Sequence, residues 1–362
     1  MTRLDNKKIT LDTLATLAGV SKATVSRVLN GNAFVSEDIK SKVQLVIAET
    51  GYKSKTKSLN FGLDIKKVTI ISGDFLGNAH SFYNEILSGV KKESHRLALD
   101  LDMFLIKQKT TLEQIENKVS NSSAILLIGV DNKDVLGLIK KHNTPTVIIN
   151  GNDFGMGISS ISPDYTLGGQ LVTNELIHLG HKKIKLVTSQ HRYSLVQRTD
   201  GFRHALDLNQ IPYDINTDVL DLSSYARDIL GNEALQKRII TGQAGMDFGA
   251  SEILDHAVEN GEFDGYSAVF CVCDMVAYAL LDAFENHSIA VPEQKSVVGF
   301  DNLEMSTMTS PSLTTISTNF PDLAKAALHM LIKEINQTHA FTSRLSVGVS
   351  LIKRDSSAPC PI

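Results

Sequence analysis

The chain has 362 residues, enough for two or three domains and too many for a single small one. With 42% hydrophobic and 21% charged residues it has the composition of an ordinary globular protein, and no apolar run reaches the length of a membrane span. The net charge of −4 is unevenly placed: residues 1–60 hold ten Lys and Arg against five Asp and Glu, and the other 302 hold 26 against 35, so a polyanion fits the basic head and not the acidic body.

Three cysteines, Cys271, Cys273 and Cys360, form no disulfide framework, and the odd number suits a reducing cytoplasm. Cys271-x-Cys273 lies in an apolar, strand-like run without zinc-site spacing, so buried thiols are expected and no metal. No apolar core follows Met1, so no secretory signal is read, and the expected localisation is cytoplasmic.

The first organised stretch is Thr10–Gly31. Leu11, Leu14, Ala15 and Ala18 fall on one face of a helix, with Thr10 as N-cap and Gly19 as its stop. Ser21 caps a second helix through Leu29, whose apolar side is Val25, Val28 and Leu29. Its outward face carries Lys22, Ala23, Thr24, Ser26 and Arg27, cationic and rich in small hydroxyls, as suits a DNA major groove. The alternative is a solvated helix pair in an ordinary helical domain. A third helix starts after Ser36, with Glu37 and Asp38 in its first turn, and carries Ile39, Val43, Val46 and Ile47 as its apolar face. Gly51 stops it, and Tyr52 would seal the small core. Residues 53–67 are polar and basic and read as a linker.

From Val68 the pattern becomes strand then helix, repeated. Strands are expected at 68–73, 99–106, 124–130 and 146–150, with helices at 82–96, 112–119 and 135–141 between them. A second series has helices at 165–179, 196–208, 251–259 and 275–286, and strands at 184–189, 267–273 and 296–300. A helix at 323–336 and a strand near 345–352 close the chain. Continuous apolar strands alternating with amphipathic helices imply parallel sheets covered on both faces, hence an all-α head and an α/β body of two doubly wound lobes. A ligand is expected at the carboxyl ends of the strands, between the lobes.

The string A-x-L-A-G-V-S-x-A-T-V-S-R-V-L-N-G, at Ala15, Leu17–Ser21 and Ala23–Gly31, resembles the head of the lactose-repressor family nearly residue for residue. The resemblance continues through Leu179–Ile184, Val291–Glu293, Ser296–Asn302 and Pro311–Ile316. It implies a helix-turn-helix head over 1–52, a hinge over 53–67, and over 68–358 an effector-binding and dimerisation body built like a periplasmic sugar-binding protein. By analogy the first lobe comprises 68–163 and 320–338, and the second 164–319 and 340–358. The implied base contacts are Lys22, Ala23 and Arg27; Thr10, Ser21, Thr24, Ser26 and Asn30 are phosphate contacts or caps. The family hinge Y-x-P-N-x-x-A-R-S-L has lost its Pro and Asn here, and Leu59, or Phe61 if no gap is allowed, takes the place of the minor-groove wedge.

For the cleft, the resemblance implies Arg198, before Gly201-Phe202, and Asp301, in Gly299-Phe300-Asp301, as charged ligand contacts. Phe82 and Tyr83 match aromatic contact positions, with core packing the competing role. Asn150, Arg192, Ser194 and Asp274 lie where ligand groups would sit. Cys273 stands where many relatives carry Asn, and Ala244 where some carry an aromatic. The segment between Ile211 and Gly249 is longer than the family usually shows, and Ser223–Gly242 looks like one extra helix with Ile229, Leu230, Leu235 and Ile239 apolar.

Gly151-x-x-x-Gly155-x-Gly157 is not a dinucleotide fingerprint and reads as a loop; His178 and His181 read as a cap and a solvent contact. No catalytic constellation is visible, which disfavours an α/β enzyme, and the basic head disfavours a plain solute-binding protein. The expected protein is a transcriptional regulator, not an enzyme, without cofactor. Its partners are double-stranded operator DNA, a small effector (a carbohydrate favoured) and a second copy of itself, with a tetramer as the larger alternative. A corepressor- or activator-type regulator that senses a purine or another metabolite is the runner-up.

Overall fold

The computed structural model describes residues 10–29, 37–50, 65–73, 82–155, 157–336 and 341–361. The chain divides into two compact units, residues 1–60 and 61–362. The expectations for Asn30, Gly51, Tyr52, Leu59, Phe61 and most of the linker fall outside the described residues.

In the first unit, α1 (Leu11–Ala18), α2 (Lys22–Leu29) and α3 (Glu37–Thr50) pack around Leu14, Ala15, Val25 and Val43. Thr10 and Thr13 form a reciprocal cap: each hydroxyl accepts the other's backbone N–H at 3.3 Å. Gly19 ends α1 with φ +65°, a conformation that a side chain would strain. The Ser21 hydroxyl accepts from Thr24 N at 3.1 Å and starts α2.

The second unit begins with β1 (Lys67–Gly73), one residue inside the expected linker. There follow α4 (Phe82–Leu97), β2 (Asp100–Ile106), α5 (Leu112–Ser120), β3 (Ile125–Ile128), α6 (Lys133–His142), β4 (Thr146–Ile149) and β5 (Ser159–Pro163). Next come α7 (Tyr165–His178), β6 (Ile184–Thr188), α8 (Tyr193–Leu208), α9 (Ile215–Asp218), β7 (Val219–Asp221), α10 (Leu222–Asp228), α11 (Glu233–Ile240) and α12 (Ala250–Glu259). The chain continues with β8 (Ala268–Cys271), α13 (Asp274–Asn286), β9 (Ser296–Val298), β10 (Thr315–Thr318), α14 (Phe320–Ile335), β11 (Arg344–Val347) and β12 (Val349–Ile352).

The first lobe is a parallel sheet in the order β11-β5-β4-β3-β1-β2, and the second a parallel sheet in the order β7-β6-β8-β9. Strand alternation sends Ile70, Leu126 and Ile128 to a core under α4 and α14, and Ile71, Ile125 and Leu127 to a core on the other face. β10 and β12 form an antiparallel pair beside the second sheet, joined to it by backbone bonds from Gly299 and Asp301 to Thr314 and Ile316. Helix α14 returns to the first lobe, against α4.

Three expectations are corrected. The terminal strand, placed over 345–352 and wholly in the second lobe, is two strands separated by Gly348. β11 pairs in parallel with β5 in the first lobe's sheet, and only β12 joins the second lobe. Neither strand is fully buried, so hydrophobicity does not mark the division; the pairing partner decides it. The extra segment is two helices, α10 and α11, each capped by its own side chain, Asp221 and Asn232; Ile229, between them, is exposed. His181 is fully buried and joins Ser267 Oγ (2.8 Å) to the carbonyl of Ala358 (3.0 Å), so it does not meet solvent. No helix among the described residues is long and apolar enough to cross a membrane.

Candidate functional site

In the first unit, α2 presents an exposed face. With Val25 buried in the core of the head, α2 turns Lys22, Ala23 and Arg27 outward. Ala23 and Arg27 are four residues apart and therefore stacked on one side of the helix. Lys22 Nζ meets Asp12 Oδ2 at 2.8 Å, an exposed pair that costs little to exchange for another anion. Thr10 and Ser21 serve as caps through their hydroxyls. Thr24 bonds back to Ser21 Oγ at 2.8 Å, and Ser26 is half-buried.

The second unit holds its polar groups between the lobes. Helices α7 and α8 touch backbone to backbone: a Cβ on Gly201 would lie 2.2 Å from the Thr166 carbonyl, and one on Gly169 2.3 Å from that of Arg198. That contact sets Arg198, three residues before Gly201, into the interior. Its guanidinium donates to Asp301 Oδ1 (3.0 Å) and to the Val272 carbonyl (2.5 Å), and lies 3.8 Å from the centroid of the Phe300 ring and 4.8 Å from that of Tyr165. Burial pushes the Asp301 carboxyl up to about 7, against the pull of Arg198. Asp301 has φ +120° and Asn150 +54°, left-handed backbone that clusters at sites where structure over-determines a residue.

Across the cleft, Arg192 Nη1 donates to Tyr83 Oη at 2.6 Å, and Asn150 Nδ2 reaches the same oxygen at 3.1 Å. Tyr165 Oη donates to Asn150 Oδ1. This partition separates two chambers, and Tyr83, Asn150, Arg192 and Ser194 border both. The inner chamber, about 60 Å³, has Arg198 and Asp301 in its wall and is otherwise lined mostly by apolar groups: Phe82, Leu195, Met246, Phe248 and Met275. The outer chamber, about 170 Å³, is lined by Asp131, Asn152, Ser160, Gln197, Arg344 and Ser346, among others. Met246 belongs to the second lobe's sequence but packs on the first lobe's core.

Seven of the eight expected cleft residues thus border the chambers. Asp274 does not. It is fully buried at the start of α13, and its carboxylate accepts Leu303 N (2.9 Å), Ser306 Oγ (2.6 Å) and Thr315 Oγ1 (2.5 Å). It braces the loop that carries Asp301, and burial raises its pKa against those bonds. Phe82 combines both readings: its ring edges the inner chamber and meets Phe320 at 5.3 Å in the first lobe's core. Ala244 is buried in the second lobe, and the aromatic at the chamber wall is Phe248, in left-handed backbone at φ +56°. Sequence reasoning missed Met246, Phe248, Asn152 and Arg344; only the run of glycines at 242, 245 and 249 marked a tight loop there. Cys271 and Cys273 are buried, and no metal-holding group of acidic, His and Cys side chains occurs among the described residues.

Residues 10–55 match the family described as bacterial regulatory proteins, lacI family, and residues 173–357 match the periplasmic binding protein-like domain. The chain is 24% identical to the ribose operon repressor of Haemophilus influenzae over 96% of its own length and 98% of the relative's. It is 25% identical to the HTH-type transcriptional repressor PurR of Photobacterium profundum over the same shares. Among solved structures, the transcriptional regulator CelR–cellobiose complex superposes with a TM-score of 0.67 at 23% identity, covering 96% of this chain and all of that one. The lac repressor dimer bound to operator and the anti-inducer ONPF superposes with a TM-score of 0.63 at 22% identity, covering 97% and 100%.

Proposed function

The chain belongs to the lacI family of bacterial regulatory proteins, and from that premise we propose that it is a sequence-specific DNA-binding repressor whose operator affinity is set by a small polyhydroxyl effector, a sugar, held between the two lobes. The observation that carries this is the joint presence of a basic helix-turn-helix head with an exposed outer face on α2 and an interlobe cleft lined by hydrogen-bonding groups of both lobes, the charged Asp131, Arg192 and Arg344 among them.

Arg27 forks onto the O6 and N7 of a guanine, Ala23 touches a thymine methyl, and Lys22 exchanges Asp12 for DNA. Thr10, Ser21, Thr24, Ser26 and Asn30 set the register on phosphates, and Leu59 in the hinge wedges the minor groove. A homodimer presents two such helices to half-sites about one helical turn, roughly 34–36 Å, apart. In the cleft, Tyr83, Asn150, Arg192 and Ser194 bond sugar hydroxyls, Asp301 oriented by Arg198 takes a pair of them, and Phe82 covers an apolar ring face. Binding there changes how the first lobes of the two subunits meet, and coupling to DNA is reciprocal and typically about 1–3 kcal/mol. The protein works in the cytoplasm and performs no catalysis.

A purine effector is the second reading, favoured by the apolar wall of Phe82, Phe248 and Met246 beside a buried carboxylate. The test is selection of duplexes from random DNA by the full-length protein, then titration at rising salt with sugars or purines added. Binding should fall steeply with salt through counterion release and shift with one sugar. Failure to enrich any duplex overturns the regulator reading, and a response to purines alone overturns the sugar.

A further inference from the structure

Asp12 stands in the first turn of α1, but that helix start is already closed without it. Thr10 and Thr13 close it, each hydroxyl accepting the other's backbone N–H at 3.3 Å. The Asp12 carboxylate instead reaches α2, where its Oδ2 meets Lys22 Nζ at 2.8 Å. The contact therefore joins two different helices. Both side chains are well exposed, 68% for Asp12 and 58% for Lys22. An exposed pair of this kind adds at most about 1 kcal/mol to stability, so the fold does not depend on it.

The place of the pair gives it a second role. The N-terminal residues of a recognition helix meet base edges, and Lys22 is the first residue of α2. A group within hydrogen-bond reach of Lys22 Nζ therefore faces the same stretch of major groove. A carboxylate there is repelled by the phosphates around it, and it is an acceptor only. Guanine and thymine show it acceptors, and adenine sets the acceptor N7 beside its N6 donor. Cytosine offers the amino donor N4 with no acceptor beside it on its own edge. The Watson–Crick hydrogen bond holds that N4 about 2.9 Å from O6 of the paired guanine. An ammonium donating to O6 and a carboxylate accepting from N4 thus stand as close as Lys22 and Asp12 already do at 2.8 Å. The two charges exchange each other for the two halves of one base pair.

Resting on the reading of the head as a sequence-specific DNA reader, we propose that Asp12, outside the recognition helix, is a specificity-determining residue that reads the N4 amino group of one cytosine, on the base pair whose guanine takes Lys22. The two residues together read a G·C pair in one orientation. Turned over, the pair sets the ammonium against the amino group and the carboxylate against O6. On every other pair the carboxylate is left without a matching donor, so it acts chiefly by rejecting wrong sequences.

The experiment uses the full-length protein and the duplex it selects from random DNA, competed against each single-pair variant of that duplex. Asp12→Ala should lose about tenfold in preference at one G·C pair and bind the mismatched duplexes no more weakly than wild type. Lys22→Ala should flatten the same pair, and the double variant should lose less than the two single losses combined. Asp12→Asn, which keeps the shape and adds a donor, should cease to reject the reversed pair. Replacing that cytosine by a pyrimidinone without the amino group should weaken wild type about tenfold and leave Asp12→Ala unaffected, which a merely structural Asp12 would not produce. A uniform change on all duplexes, a flattened position other than a G·C pair, or an equal response of both proteins to the pyrimidinone overturns the proposal and leaves the regulator reading standing. If wild type selects no duplex, the regulator reading and this role of Asp12 fall together.

Discussion

The outer face of α2 and the Arg198–Asp301 pair are both charged, and they hold charge in opposite ways. On α2, Lys22 and Arg27 stand in solvent, and the ion pair that Lys22 makes with Asp12 is exposed on both sides. In the cleft, Arg198 and Asp301 are each about 95% buried and bonded to one another, with aromatic rings packed on the guanidinium. An exposed charge can leave its partner for a phosphate or a base edge at little cost, whereas a buried pair is fixed by the desolvation that separating it would waste. The head is therefore built to exchange partners, and the cleft to hold a set arrangement.

Breaking the buried pair should have the largest effect. Asp301→Ala strands the Arg198 charge and should lower the stability of the body by about 3–5 kcal/mol at pH 8, read from denaturant unfolding, with loss of the sugar response. A normal response in that variant would place the effector elsewhere. On the exposed side, Arg27→Ala should leave unfolding unchanged and reduce discrimination between a selected duplex and its guanine-substituted mismatch by about 1–3 kcal/mol. A matching loss on all sequences would make Arg27 a phosphate contact.

The contrast is sharpened by pH. Burial lifts the Asp301 carboxyl to about 7. Below that value a proton occupies the oxygen that a sugar hydroxyl needs and must leave on binding. Sugar affinity should thus rise with pH, by up to about tenfold per unit below 7, and level off above it. Asp301→Asn should flatten the profile. The smallest effect belongs to the surface pair: Asp12→Ala should change the stability of the head by less than about 1 kcal/mol and strengthen binding to random duplex slightly, seen as tighter binding at low salt that fades as salt rises.

How much was legible follows the same division. The head is written in one continuous string: the period of Leu11, Leu14, Ala15 and Ala18, the stop at Gly19 and the cap at Ser21 specify the helices and their outer face together. Arg198 and Asp301 were also legible, each within a short motif, although they are 103 residues apart. Asp274 looked equally eligible. It follows a strand as Asp301 does, and only the arrival of Leu303, Ser306 and Thr315 around its carboxylate turns it into a brace. Asn152 and Arg344 carried no motif, and β5, with its serines, gave no apolar signal.

The sequence by itself determined what depends on neighbours along the chain: helix faces and caps, the alternation of strand and helix, the basic head on an acidic body, and the two short motifs of the cleft. Only the tertiary structure decided that β11 and β12 part at Gly348 to serve different lobes, that Met246 crosses to the first lobe's core, and that Arg192 reaches Tyr83 across the cleft. The reason is physical. A local pattern fixes which face of an element is apolar, but chamber volume and burial of a carboxylate are set by groups brought together from distant parts of the chain, and these exist only once the lobes have packed.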